Sequence, residues 1–277
     1  MQNIKAIEEL DELIGLGQVK SEIATLVNFL KVQKIREEQG LGTSNLSLHC
    51  VFTGNSGTGK TTVARILAKI YKELGLLSNG HLVEADRTEM VAGYVGQTAI
   101  KVEKICDDAE GGLLFIDEAY ALAKDSGRDF GHEAIATLIK RMEDDKDKMA
   151  VVVAGYPNDM QRFINANSGL KSRFNRYIHF TDYNSSELVE IFNLFAKKQN
   201  YNLDPDALTS LNNFFKLLLE DKNANLGNGR LARNIFEKAI EMHSNRIVDI
   251  PHHTQKDLST LNEMDFPIQD YLHMLKK

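Results

Sequence analysis

The segment Gly54-Asn55-Ser56-Gly57-Thr58-Gly59-Lys60-Thr61 constrains this chain more than any other. It satisfies G-x-x-x-x-G-K-[ST], which average residue usage produces in roughly one per cent of chains this long, so the match is informative. Leu46 to Thr53, just before it, reads as a short buried strand. After it, Val63, Ile66, Leu67, Ile70 and Tyr71 share one face of a helix spanning Val63 to Leu74. Glycines at 54, 57 and 59 let the backbone wrap tightly and aim N–H groups at phosphate oxygens, with the helix N-terminus adding its partial positive charge. Lys60 then reaches the β and γ phosphates, and the Thr61 hydroxyl is placed to ligate Mg2+. Asn55, Ser56, Thr58 and Thr62 complete the candidate nucleotide-binding set.

A second segment, Leu113-Leu114-Phe115-Ile116-Asp117-Glu118, puts two acids at the end of four apolar residues. A buried strand of that kind delivers both carboxylates to the sheet edge where α/β proteins bind ligands. Asp117 is positioned to hold Mg2+ and Glu118 to act as general base on a water. Together the two segments point to ATP hydrolysis. The guanine-reading strings N-K-x-D and T-K-x-D do not occur, which argues against GTP.

Further strand candidates, His81–Glu84, Ala150–Ala154 and Tyr177–Phe180, alternate with helical patterns at 18–38, Thr98–Ala109 and Glu133–Met142. That alternation predicts a parallel sheet covered on both faces. Beyond Tyr183 the pattern is helical, with Glu187–Asn200, Pro205–Asp221, Gly229–Ile247 and a piece near Met264–Leu275. The expected organisation is an α/β domain over 1–182 and an all-α domain over 183–277, with the junction in Thr181–Ser186.

Composition excludes other classes. Lys plus Arg total 33 against 39 Asp plus Glu, a net charge of −6, which lacks the basic footprint of a general nucleic-acid binder. Cys50 and Cys106 are the only cysteines, as expected for buried thiols in a reducing compartment. The N-terminal MQNIKAIEELDELIG has no signal-peptide pattern, and the apolar run Met149–Pro157 is far short of the ~20 residues a membrane span requires. A cytoplasmic protein without a membrane partner is expected. His252-His253 reads as a solvated loop, and Glu143-Asp144-Asp145-Lys146-Asp147 as a loop without chemistry.

Finer blocks extend the pattern: Ile14-Gly15-Leu16 with Val19-Lys20, HCVFTGNSGTGKTTVARILAKIY, GHLVEADRTEMVAGYVGQTAIK, GGLLFIDEAYAL, DFGHEAI, VVVAGYP and GLKSRFNRYIHF. This chain resembles the AAA+ P-loop ATPases, in particular the CbxX/CfqX group that includes red-type rubisco activase and stage V sporulation protein K. The resemblance covers about residues 11–240 and implies a parallel sheet flanked by helices with a C-terminal all-α lid. It implies that Ile14, Gly15 and Leu16 contact adenine. It implies that Arg173 and Arg176, in Ser172-Arg173-Phe174-Asn175-Arg176, reach a neighbouring subunit's γ-phosphate. Arg230, in Gly227-Asn228-Gly229-Arg230, resembles the sensor-2 arginine, with Arg233 one turn on as the competing candidate. Tyr94, in Ala92-Gly93-Tyr94-Val95-Gly96, resembles an aromatic of the central pore.

The chain departs from the group at Ser56 and Ser168, where proline is usual. It also departs at Ala154-Gly155-Tyr156, where many AAA+ proteins end the fourth strand with a polar side chain, so the sensor-1 residue stays open. The resemblance implies ATP and Mg2+ as ligands, a homo-oligomer in the form of a hexameric ring, and a protein substrate. A remodeller gripping that substrate through Tyr94 is the leading expectation. A nucleotide-switched assembly or scaffold protein is the alternative. Beyond the lid and a short N-terminal helix, no separate substrate-recruiting domain is expected.

Overall fold

In a computed structural model, the described residues are 4–42, 47–94, 96–123, 130–220 and 227–266. They fall into two units. One comprises the chain up to Gly54 together with Gly59–Phe180, and the other comprises Asn55–Thr58 together with the chain from Thr181 onward.

The first unit begins with α1 (Lys5–Asp11) and α2 (Gly17–Glu38), then β1 (Cys50–Gly54) and α3 (Lys60–Glu73). It continues through β2 (Leu82–Ala85), α4 (Arg87–Met90), α5 (Gln97–Asp108), β3 (Leu113–Ile116) and α6 (Phe130–Asp144). It closes with β4 (Ala150–Gly155), α7 (Pro157–Asn165), α8 (Ser168–Arg173) and β5 (Arg176–Phe180). The five strands form one parallel sheet in the order β2-β3-β4-β1-β5. Every residue of β3 and β4 is buried, which is why both read as unbroken apolar runs rather than alternating ones. On one face Val51, Leu114, Ile116, Val151 and Val153 pack with Val102, Cys106, Leu138, Met142, Phe163 and Phe174 from the helices. On the other, Phe52 meets Phe180 at 5.0 Å between ring centroids, and buried Val63, Ile66 and Leu67 of α3 cover the sheet.

Short helices escape periodicity. The four residues of α4, nine of α7 and six of α8 are defined instead by their starts. Asp86 and Glu89 form a capping box, Pro157 occupies the first turn of α7, and Asn167 accepts N–H groups from Gly169 and Leu170. The acidic run 143–147, read as loop, is helical through Asp144. Arg141 holds this end by pairing with Asp145 at 2.5 Å and Asp107 at 2.7 Å.

The second unit carries α9 (Ser185–Lys198), α10 (Pro205–Glu220), α11 (Gly229–Val248) and α12 (Gln255–Ser259). A two-residue parallel ladder joins β6 (Asn202–Leu203) to β7 (Thr260–Leu261), too short to leave an alternating pattern in the sequence. Phe192 sits edge-on to Phe236 at 5.4 Å in its core, and Arg246 pairs with fully buried Asp265 at 2.8 Å. Of the helix expected near Met264–Leu275, a single 3-10 turn at Glu263–Asp265 is described, and positions from 267 on lie outside the described residues.

Candidate nucleotide site

β1 ends in Gly54, whose φ of 152° and proximity to Phe180 admit no side chain, since a Cβ there would lie 2.4 Å from the Phe180 carbonyl oxygen. The loop returns to helix at Gly59, and Lys60 and Thr61 open the first turn of α3. The Lys60 ammonium donates to the Gly54 carbonyl at 2.9 Å, folding the lysine over the start of its own loop. Thr62, the next residue of α3, is exposed.

β3 delivers Asp117 to the same C-terminal edge of the sheet. With β4 lying between β1 and β3, two strand spacings separate them, about 10 Å. Asp117 accepts the N–H of Glu118 at 3.0 Å, and Glu118 itself is held at a left-handed φ of 46° with its side chain exposed. That conformation costs a residue other than glycine about 1–3 kcal/mol, and in return it turns two consecutive side chains out of the strand end. Among the described residues no three His, Cys, Asp or Glu side chains converge on a metal site. A hydroxyl and a carboxylate at the strand ends are donor types that suit Mg2+, which keeps phosphate oxygens and water in its shell.

The arginines from the Ser172–Arg176 segment lie at the opposite edge. In the parallel register Arg176 pairs with Cys50, the first residue of β1, four residues or about 13 Å before Gly54. Arg173 ends α8 just before it. Its guanidinium pairs with Glu143 at 3.2 Å and donates to the Gly169 carbonyl at 3.2 Å, while its Nε is buried without a partner. The Ser47 hydroxyl donates to the Arg173 carbonyl at 2.9 Å. Glu143, from the acidic run assigned no chemistry, thus contacts a candidate site residue.

Ile14 and Gly15 lie in the turn between α1 and α2, where Gly15 and Leu16 both have positive φ. Lys20 ties this turn down by donating to the carbonyls of Asp11 and Leu13. Tyr94 stands on the turn between α4 and α5 and is 73% exposed, the most exposed large apolar side chain among the described residues. Buried Thr98 anchors the turn by accepting the Ala92 N–H at 3.1 Å. The neighbouring Val95 lies outside the described residues, as does Asp129 of the DFGHEAI block. Arg87 of α4 donates to the carbonyls of Ala121 and Leu122, tying the start of this segment to the turn that follows Glu118.

The second unit gathers the four inner loop residues around a polar cluster that sequence reasoning missed. Asn55 donates to both oxygens of Asp182, at 3.0 and 2.9 Å. Asn228 donates to Asp182 at 2.8 Å and to the Ser56 carbonyl at 3.2 Å, and accepts the Tyr183 N–H at 2.9 Å. The Gly229 N–H donates to the Gly57 carbonyl at 3.0 Å. A Cβ on Gly57 would meet the Gly227 carbonyl at 2.0 Å. The Tyr183 hydroxyl donates to the Thr58 carbonyl, and burial raises its pKa to about 12. Arg230 donates to the Ser56 hydroxyl at 2.7 Å, whereas Arg233 is engaged by Glu237 at 2.8 Å. A proline at 56 has no hydroxyl to offer, so the serine departure creates this contact. The one sequence signal for the cluster was that Asn228 stands two residues before Arg230.

Both thiols are buried, and desolvation pushes each up to about 11, so neither is a nucleophile at neutral pH. His252 and His253 are exposed.

Residues 50–182 match the family of ATPases associated with various cellular activities (AAA), and residues 184–274 match the AAA lid domain. Stage V sporulation protein K of Bacillus subtilis (strain 168) is 38% identical over 269 residues, covering 96% of this chain and 84% of that protein. The chloroplastic ribulose bisphosphate carboxylase/oxygenase activase of Cyanidioschyzon merolae is 39% identical over 265 residues, 94% of this chain and 90% of that protein. The protein CbbX of Cereibacter sphaeroides is 41% identical over 245 residues, 88% and 79% respectively. Among solved structures, the Thermotoga maritima RuvB Holliday junction branch migration motor aligns with a TM-score of 0.59 at 19% identity, covering 96% of this chain and 71% of that one. That likeness speaks for the fold alone.

Proposed function

From the premise that this chain belongs to the AAA+ ATPases of the CbxX/CfqX type, we propose that it is a ring-forming remodeller which uses Mg-ATP to act on a protein partner through Tyr94. The observation that carries the proposal is the placement of Arg173 and Arg176 at the sheet edge opposite Thr61 and Asp117 of the same chain. Arginines so placed cannot serve their own phosphate site, but they can serve a neighbour's. A head-to-tail ring, hexameric in this proposal, supplies that neighbour at every site.

In this reading the loop backbone and Lys60 hold the β and γ phosphates of ATP, and Ile14 and Gly15 contact the base. Thr61 and Asp117 would hold Mg2+, which when bound neutralises phosphate charge. Glu118 takes a proton from the attacking water. Arg173, with Arg176 beside it, leaves its cis partners and stabilises the charge spreading over the neighbour's transferred phosphoryl group. Arg230, now on Ser56, reads the presence of phosphate. The Arg87 contacts join the turn behind Glu118 to the segment bearing Tyr94, so a change at the hydrolytic edge has a short route, through these hydrogen bonds, to the exposed aromatic. A large exposed ring on a glycine-flanked turn grips unfolded chain without reading its sequence.

The relatives are named for sporulation and for activation of ribulose bisphosphate carboxylase/oxygenase, and this chain's own partner is proposed only as a protein. No helix among the described residues is long and apolar enough to cross a membrane. A cytoplasmic location is the proposal that suits the acidic balance and the two buried thiols.

Tyr94→Ala tests the reading. ATP turnover is expected to persist while pull-downs through a Glu118→Gln trap lose the partner that the Tyr94-bearing trap retains. Equal retention by both traps refutes the gripping role and leaves the nucleotide-switched scaffold.

A further inference from the structure

The carbonyls of Asn55, Ser56, Gly57 and Thr58 are all held. The Thr58 hydroxyl donates to the Asn55 carbonyl at 2.8 Å. The Asn228 amide donates to the Ser56 carbonyl at 3.2 Å, the Gly229 N–H to the Gly57 carbonyl at 3.0 Å, and the Tyr183 hydroxyl to the Thr58 carbonyl at 3.3 Å. The last three donors come from the chain after Thr181, which forms one unit with these loop residues. In a planar trans peptide the carbonyl and the following N–H point in opposite directions. Gripping the Ser56, Gly57 and Thr58 carbonyls therefore turns the N–H groups of Gly57, Thr58 and Gly59 away from those donors. Among the described residues, the N–H groups of Ser56, Gly57, Thr58 and Gly59 have no hydrogen-bond partner. Successive N–H groups left open in this way form a concavity that takes an anion.

The loop does not choose this orientation by itself. Gly57 and Gly59 stand at φ of 75° and 94°, and glycine accepts either sign of φ at little cost. A peptide beside such a residue is free to rotate and turn its carbonyl oxygen, instead of its N–H, towards a phosphate. Asn228 and Gly229 fix the first two peptides. The third, between Thr58 and Gly59, is fixed by the Tyr183 phenol, which has a proton to give to an oxygen that only accepts. Tyr183 is itself held: its side chain is buried, and its N–H donates to the Asn228 side chain at 2.9 Å.

We propose that Tyr183 is a positioning residue for phosphate binding: its hydroxyl holds the Thr58 carbonyl and so keeps the Gly59 N–H presented to the phosphates of ATP. The proposal rests on the loop being the phosphate site. It gives the segment after Thr181 a second task besides carrying Arg230, namely setting the direction of the loop's own backbone.

Tyr183→Phe removes the hydroxyl and keeps the ring. KM for ATP is expected to rise about three- to tenfold, the range for losing one neutral hydrogen bond, with kcat at saturating ATP changed less than twofold. Inorganic pyrophosphate offers phosphates without base or ribose, so its inhibition constant against ATP turnover is expected to rise by the same factor. A hydroxyl that only stabilised the fold would lower the thermal midpoint and leave the pyrophosphate constant unaltered. That result overturns the proposal, and so does an unchanged KM. Undiminished pyrophosphate binding by Lys60→Ala, read by calorimetry, is a different failure, since it removes the loop as the phosphate site whatever Tyr183 does.

Discussion

Acid should weaken this protein through one buried histidine beside Arg173. His49 is 3% exposed, accepts the Val151 N–H on Nδ1 at 3.0 Å and donates from Nε2 to the Met142 carbonyl at 3.3 Å. Both nitrogens are committed to the neutral ring. Burial lowers the pKa from 6.5 to about 4, with the Arg173 guanidinium adding to the drop against opposing contributions from the Met142 carbonyl and Glu143. Between those two values the unfolded chain binds a proton that the folded chain refuses, so stability rises with pH across that window. The stabilisation is complete above pH 6.5 and is lost as pH falls towards 4. At 1.36 kcal/mol per pH unit the loss is about 2 kcal/mol by pH 5 and about 3 kcal/mol by pH 4. Denaturant titrations of the unaltered protein and of His49→Asn, run from pH 7.5 to 4.5, isolate this contribution. The gap between the two is expected to narrow by about 2 kcal/mol at pH 5. A gap constant over that range refutes the reasoning, whatever the absolute stability of the variant.

Two further outcomes follow from the site. Glu118→Gln is expected to bind ATP with little change and to lose at least about a hundredfold in turnover, measured by phosphate release. Asn228→Ala removes the bonds to Asp182, the Ser56 carbonyl and the Tyr183 N–H together. At about 1 kcal/mol each, with partial compensation by water, fluorescent-nucleotide titration is expected to show affinity weakened about tenfold or more. Unchanged affinity means that the cluster does not shape the loop.

The sheet was legible because a parallel strand buried on both faces leaves a run such as Leu113–Ile116 or Ala150–Ala154 that no surface element resembles. The strand, glycine loop and helix over 50–73 and the emergence of Asp117 and Glu118 at the end of a buried strand were legible because each is local in sequence. What sequence did not disclose comes from residues far apart in the chain. Asn55, Asp182 and Asn228 meet across more than 170 positions, and each alone is an ordinary surface amide or acid. Glu143 looked like one acid in a solvated run until α8 placed Arg173 against it. The short helices α4, α7 and α8 give too few turns for a period, although Asp86, Pro157 and Asn167 mark their starts.

The central claim is that each hydrolytic site is shared, with Lys60 from one chain and Arg173 from the next. Mixing Lys60→Ala with Arg173→Ala tests it directly, because each variant alone is expected to be inactive while the mixture holds some interfaces with both residues intact. In an equimolar mixture assembling at random, turnover is expected to return to about a quarter of the unaltered rate, since an intact site needs one particular variant on each side. A mixture as inactive as its parts, or an Arg173→Ala protein that hydrolyses ATP at full rate on its own, contradicts the account.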